Sequence, residues 1–112
     1  MELESAIAAL GALAQETRLR AFRLLVRAGT EGLPAGVIAE GLDIPPATLS
    51  FHLKELSRAG LVHSRREGRS IRYTLGVERM QELLQFLGDD CCQGHPELCL
   101  PRAQPGTGKS PR

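Results

Sequence analysis

The sequence predicts a mainly α fold with a small β-hairpin, α+β in class, with its elements in the order α-α-α-α-β-β-α. Three observations point there. Apolar residues recur at helical spacing in five short blocks, most of them bounded by Gly or Pro. Two short stretches of strand-forming residues flank Glu67-Gly68-Arg69, the pattern of a hairpin with glycine at its tip. The composition is Leu- and Ala-rich, with 42% hydrophobic and 4% aromatic residues and no Trp. That suits short helices around the modest core that 112 residues can enclose.

The first helix is expected over residues 3–14 (LESAIAALGALA), with Ile7, Leu10 and Leu13 as apolar positions. The second covers about Glu16–Ala28, where Leu19, Phe22, Leu25 and Val26 share a face and Arg18, Arg20, Arg23 and Arg27 lie elsewhere. Gly29 is its natural stop. Leu33–Leu42 reads as a short helix begun by Pro34 and closed around Gly41. Asp43-Ile44-Pro45-Pro46 forms a turn, because proline disfavours helical backbone in the residue before it. The fourth helix runs from about Pro46 to Ala59, with Leu49, Leu53 and Leu56 at i, i+4 and i+7 as its buried stripe. Strands are expected at Leu61–Arg66 and Ser70–Leu75. A last helix, Val77–Leu87, carries Val77, Met80, Leu83, Leu84 and Leu87 on one side. Beyond about Arg102 the chain is Pro, Gly, Ser and Lys without periodicity, so residues 100–112 are expected to be a disordered tail. Residues 1–92 then form one domain and residues 91–99 a cysteine-rich segment.

The formal net charge of +1 conceals an asymmetry. Lys54, Arg58, Arg65, Arg66, Arg69 and Arg72 face only Glu55 and Glu67 in the same stretch, a local charge of +4; the remainder of the chain sums to −3. One concentrated basic stretch in a near-neutral protein suits a polyanion. Helix, turn, helix and a basic glycine-tipped hairpin make a winged helix-turn-helix, whose partner is double-stranded DNA. With the Leu stripe inward, Ala47, Phe51, Lys54 and Arg58 point outward from the fourth helix, with Thr48 and Ser50 on its flanks. A solvent-facing Phe is costly on an idle surface and suits thymine methyl groups, while the hydroxyls suit bases or phosphates. His52 lies near the edge of the Leu stripe, in a structural or phosphate-contacting position. Arg65, Arg66, Arg69 and Arg72 of the hairpin can reach phosphates or a narrow minor groove.

The segments ALAQETRLRAFRLLV, GVIAEGLDIPPATLSFHLKELSRAGLV and RREGRSIRYTL resemble the ArsR/SmtB family of small winged-helix repressors. The resemblance covers roughly residues 5–92. It implies a homodimer built on the first and last helices, bound to a palindromic operator and released by a metal or metalloid. Ile7, Leu10, Met80, Leu83, Leu84 and Leu87 are the residues expected at the dimer face, because so much apolar surface on terminal helices is hard to bury within one small domain.

Cys91, Cys92 and Cys99, in CCQGHPELC, are the only cysteines of the chain. Three thiols so close together suit a soft cation. The family's site in the helix before the recognition helix is absent, since VIAEGLD has no Cys, and the Asp/His zinc site of its last helix lacks His in VERMQELLQFLGDD. The tail resembles the family's C-terminal trithiolate arsenite site, which implies As(III) or Sb(III) as inducer. Zn(II) held by the three thiolates and His95 is the alternative, and a redox response is another. Adjacent acidic residues Asp89 and Asp90 oppose thiol activation. A DNA-independent metal-binding module would lack a use for Phe51 and the local +4. No Gly-rich phosphate loop or acid/base pair suggests an enzyme. The N-terminus is acidic where a signal peptide is basic, and no apolar run approaches a membrane span, which places the chain in the cytoplasm with reduced thiols.

Overall fold

The computed structural model describes residues 1–88. The cysteine-rich segment and the tail expected to be disordered lie outside the described residues. Along the chain stand α1 (Leu3–Leu13), α2 (Glu16–Ala28), β1 (Leu33–Pro34), α3 (Ala35–Leu42), α4 (Pro46–Arg58), β2 (Val62–Glu67), β3 (Ser70–Leu75) and α5 (Val77–Gly88), with a 3-10 turn at Gly29–Glu31. The five helices and the wing hairpin match the expected order. The sheet adds a strand that periodicity did not reveal. Leu33 and Pro34, expected to open the third helix, instead pair with Tyr73 and Arg72, so the strand order is β1-β3-β2, antiparallel throughout. Two residues are too few to show alternation, and Pro34 is tolerated there because β1 is an edge strand. The helix begins two residues later than expected, at Ala35.

One core unites α1 to α4, the base of the wing and α5. Leu49, Leu53 and Leu56 are buried as expected, against Phe22 and Leu25 of α2, Ile38 and Leu42 of α3, and Leu61 and Val62. On α2 the inward residues are Ala21, Phe22 and Leu25; Leu19 and Val26, expected to share that face, are exposed. On α1 the inward residues are small, Ala6 and Ala9, while Leu3, Ile7 and Leu10 face outward. Small residues let α1 approach α2 and α4 closely, so the large side chains serve a different surface.

The turn between α3 and α4 is set by a non-glycine left-handed residue. Asp43 has φ 58° and ψ 49°. Its N–H donates to the Glu40 carbonyl and that of Ile44 to the Ala39 carbonyl, both at 3.2 Å. This is the paired C-terminal closure of a helix, with Ile44 folded back onto the core. Pro45 and Pro46 then launch α4, Pro46 at the first-turn position where a missing N–H costs nothing. Where β3 leaves the sheet, the Gly76 N–H donates to the Leu61 carbonyl at 2.7 Å. A Cβ on Gly76 would collide with the Gly60 carbonyl oxygen and lie 2.9 Å from a Leu61 backbone carbon, so the crossing requires glycine.

Candidate nucleic-acid interface

Pairing of α3 and α4 across a three-residue turn leaves one face of α4 outside the core. Ala47, Thr48, Ser50, Phe51, Lys54 and Arg58 are all exposed there. Phe51 is 57% exposed, which removes burial as the reason for an aromatic at that position. Its ring meets the edge of His52 with centroids 5.3 Å apart. Arg58 folds back onto Glu55 at 2.9 Å, an exposed i, i+3 pair that a phosphate can displace. At the amino end of α4 no side chain caps the first-turn amides, which leaves them directed at whatever anion α4 meets.

His52 is half-buried at the flank. The Arg18 Nη1 group donates to its Nδ1 at 3.3 Å, while Arg18 Nε donates to the Ala12 carbonyl at 2.6 Å. Arg18 therefore ties the end of α1 to the middle of α4. Burial, and then the Arg18 charge, hold His52 below the ordinary imidazole pKa, against an opposing pull from Glu55. Arg18 was not among the residues expected to matter, because one arginine in an arginine-rich helix gives no signal of an inward role. Its own helix is capped by the Gln15 side chain, which accepts from the Arg18 N–H at 2.9 Å.

The wing divides its four arginines into two groups. The hairpin is closed by Gly68-Arg69, with Glu67 opposite Ser70 and Gly68 at φ 65°. It is one residue tighter than the expected tip, and β2 is shifted from Leu61–Arg66 to Val62–Glu67. Arg65 and Arg72 stand directly opposite each other, an arrangement that costs free energy unless neutralised. Glu67 supplies the counter-charge, with Arg65 Nη2 at 2.8 Å and Arg72 Nε at 3.0 Å. Hydrogen bonds from Arg65 and then Arg72 lower the Glu67 pKa. Arg72 also donates from Nη1 to the carbonyls of Glu31 and Gly32, at 3.1 and 3.4 Å. Arg72, expected as a DNA contact, is half-buried and ties the wing to the turn that precedes β1. Arg66 and Arg69 are exposed, and no ion pair engages either among the described residues.

The residues expected at a dimer face separate in the same way. Ile7, Leu10, Leu84 and Leu87 are exposed, joined by Leu3 and Val77. Leu83 is 5% exposed and belongs to the core, and Met80 packs against it, so these two stabilise the protomer itself. Cys91, Cys92, Cys99 and His95 lie outside the described residues. Among the described residues no group of three His, Cys, Asp or Glu side chains could hold a metal ion.

Residues 13–65 match the family model described as a helix-turn-helix domain. Over 90 residues the chain is 31% identical to the transcriptional activator HlyU of Vibrio cholerae, spanning 80% of this chain and 81% of that protein. The HlyU structure superposes with a TM-score of 0.61 at 36% identity, over 78% of this chain and 97% of the other. A Halobacterium salinarum protein, ArsR, named for an arsenical resistance operon, is 38% identical over 63% of this chain and 54% of its own length. The homodimeric winged helix-turn-helix DNA-binding domain of Mb0332 from Mycobacterium bovis, a candidate ArsR-family regulator, superposes with a TM-score of 0.63 at 29% identity, over 83% and 86% of the two chains. The chain belongs to the ArsR/SmtB-like helix-turn-helix regulators. In this family setting, α3 and α4 form the helix-turn-helix, β2 and β3 the wing, and the chain is a DNA-binding transcription regulator rather than an enzyme. Among the described residues no helix is long and apolar enough to cross a membrane.

Proposed function

We propose that this ArsR/SmtB-like regulator is a cytoplasmic, homodimeric repressor that leaves a palindromic operator when As(III) or Sb(III) binds Cys91, Cys92 and Cys99. The observation that carries the reading is a juxtaposition. The chain's only three cysteines follow directly on α5, whose Leu84 and Leu87 are exposed on the same molecule as Leu3, Ile7 and Leu10 of α1. Specific protein interfaces bury about 1,200–2,000 Å² in total, and an apolar face on two adjoining helices supplies the core of one. A two-fold dimer presents its two α4 helices to half-sites about 34 Å apart.

Three thiolates complete the pyramidal shell of a trivalent metalloid. Adjacent Cys91 and Cys92 would diverge on a regular helix, so capture of one ion by both requires the chain there to depart from helical form. That change adjoins the dimer helix and alters the separation of the two reading heads. Linkage then requires the ion to favour the DNA-free dimer by the factor with which it weakens DNA binding. The name of the Halobacterium salinarum relative supports the inducer, and the homodimeric Mycobacterium bovis domain supports the assembly. Zn(II) bound by the same thiolates with His95 is the competing inducer. Titration of a protein–operator complex with arsenite, antimonite and zinc decides among them: release by the trivalent ions, abolished by Cys→Ser replacement, supports the proposal, and release by zinc alone overturns it.

The name of the HlyU relative favours a second reading, in which DNA binding activates transcription. A reporter fused to the bound promoter separates the two, since deletion of the regulator raises expression for a repressor and lowers it for an activator.

A further inference from the structure

Arg18 makes the one side-chain hydrogen bond that joins α4 to another helix among the described residues. A guanidinium has donors and no acceptor, so the His52 Nδ1 it contacts must carry a lone pair. The neutral ring then bears its proton on Nε2, across the ring from Arg18. That N–H has no hydrogen-bond partner among the described residues, although the ring is half-buried beside the exposed face of α4. A donor left without a partner within the chain is available to an acceptor from outside it.

We infer that Arg18 is a positioning residue for DNA binding: anchored on the Ala12 carbonyl, its guanidinium fixes the His52 ring so that Nε2–H is offered to a phosphate oxygen. The inference rests on the reading of α4 as the groove-facing helix. The donor is sequence-independent, because every phosphate presents the same acceptor. It also makes part of the α4 surface depend on the end of α1, through one side chain with two bonds 2.6 and 3.3 Å long.

The test uses the full chain. Nitrogen-15 spectra of its histidine rings, recorded without DNA at mildly alkaline pH, report which nitrogen carries the proton. Wild-type His52 is expected to be protonated on Nε2, and both Arg18→Ala and Arg18→Lys are expected to give a mixture of tautomers. The Arg18→Lys replacement keeps the charge and most of the stem but offers one nitrogen to two acceptors, so it tests the geometry in a chain that keeps its fold if Arg18→Ala does not. Affinity for a mixed-sequence duplex at low salt is the second readout. His52→Ala is expected to weaken binding about tenfold, as loss of a charge-assisted hydrogen bond does, and each Arg18 variant by a similar factor. The double variants are expected to bind no more weakly than His52→Ala alone. A proton on Nδ1 in the wild type, or losses that multiply in the double variants, overturns the inference. A wild-type chain with the proton on Nε2 that binds no duplex overturns the α4 assignment beneath it.

Discussion

Glu67 decides how much positive charge the wing presents. Its carboxylate engages Arg65 and Arg72 together, leaving Arg66 and Arg69 exposed without an ion pair among the described residues. Replacing Glu67 by Gln releases Arg65 and adds one unit of charge to the hairpin. The expected outcome is tighter binding to all duplexes and a salt dependence steeper by about one ion, near 0.9 in log–log slope. Arg66→Ala or Arg69→Ala is expected to do the reverse, weakening binding across sequences and flattening that slope; a changed sequence preference would contradict the assignment of the wing to phosphates. His52 carries the pH dependence of this region. Arg18 on α2 and Glu55 on α4 act on it, but burial is the largest influence, and the net effect is a lowered folded pKa. The unfolded chain accepts a proton near pH 6.5, the ordinary imidazole value, that the folded chain refuses until lower pH. The His52 contribution to stability is therefore complete above about 6.5 and declines as pH falls through it. Urea midpoints of the wild type should drop more over that interval than those of His52→Gln. Equal drops would show that His52 is not responsible.

Helices whose large apolar residues face the core were legible, and those that use small ones were not. Leu49, Leu53 and Leu56 declare the buried face of α4 because three leucines at helical spacing have one economical orientation. On α1, Ile7 and Leu10 were expected on an outward face and are exposed, but the packed side, Ala6 and Ala9, was not foreseen. Alanine carries too little hydrophobic signal to mark a face, and the larger apolar residues of α1 are exposed. β1 escaped for lack of length, and Arg18 and Glu67 because charge along a sequence does not say which cations are paired. Asp43 is the element-scale weakness of the fold, since a side chain there occupies a left-handed conformation that glycine adopts freely. Asp43→Gly should raise stability by roughly 0.5–1 kcal/mol, the usual gain when strain outweighs added chain entropy. Leu53→Ala should lower it by about 2–5 kcal/mol through the cavity left in a fully buried site. Both are read from denaturant melts. A neutral Leu53→Ala would mean that α4 is not anchored by its stripe.

For the whole molecule, the proposed function links fold to regulation through the outward face of α1 and α5. Leu3, Ile7, Leu10, Leu84 and Leu87 are exposed apolar residues on two helices that also touch each other, as on a surface made for a partner. If the proposed dimer forms on this face, Ile7→Glu with Leu84→Glu converts it to a folded monomer in sedimentation velocity and abolishes tight binding to a two-half-site duplex, while weak binding to any DNA persists. The winged helix-turn-helix was legible in full outline, because α4, the turn and the basic hairpin follow one another within a short stretch. The cysteines proposed as the sensor stood out only through their clustering in the sequence. Fluorescence anisotropy of the labelled operator complex under arsenite titration tests the central claim most directly. Release at an ion concentration that saturates the thiols is predicted for the wild type. Retention on DNA is predicted for Cys91→Ser, Cys92→Ser or Cys99→Ser, with operator affinity nearly unchanged. A wild-type complex that stays intact with its thiols saturated would contradict the account.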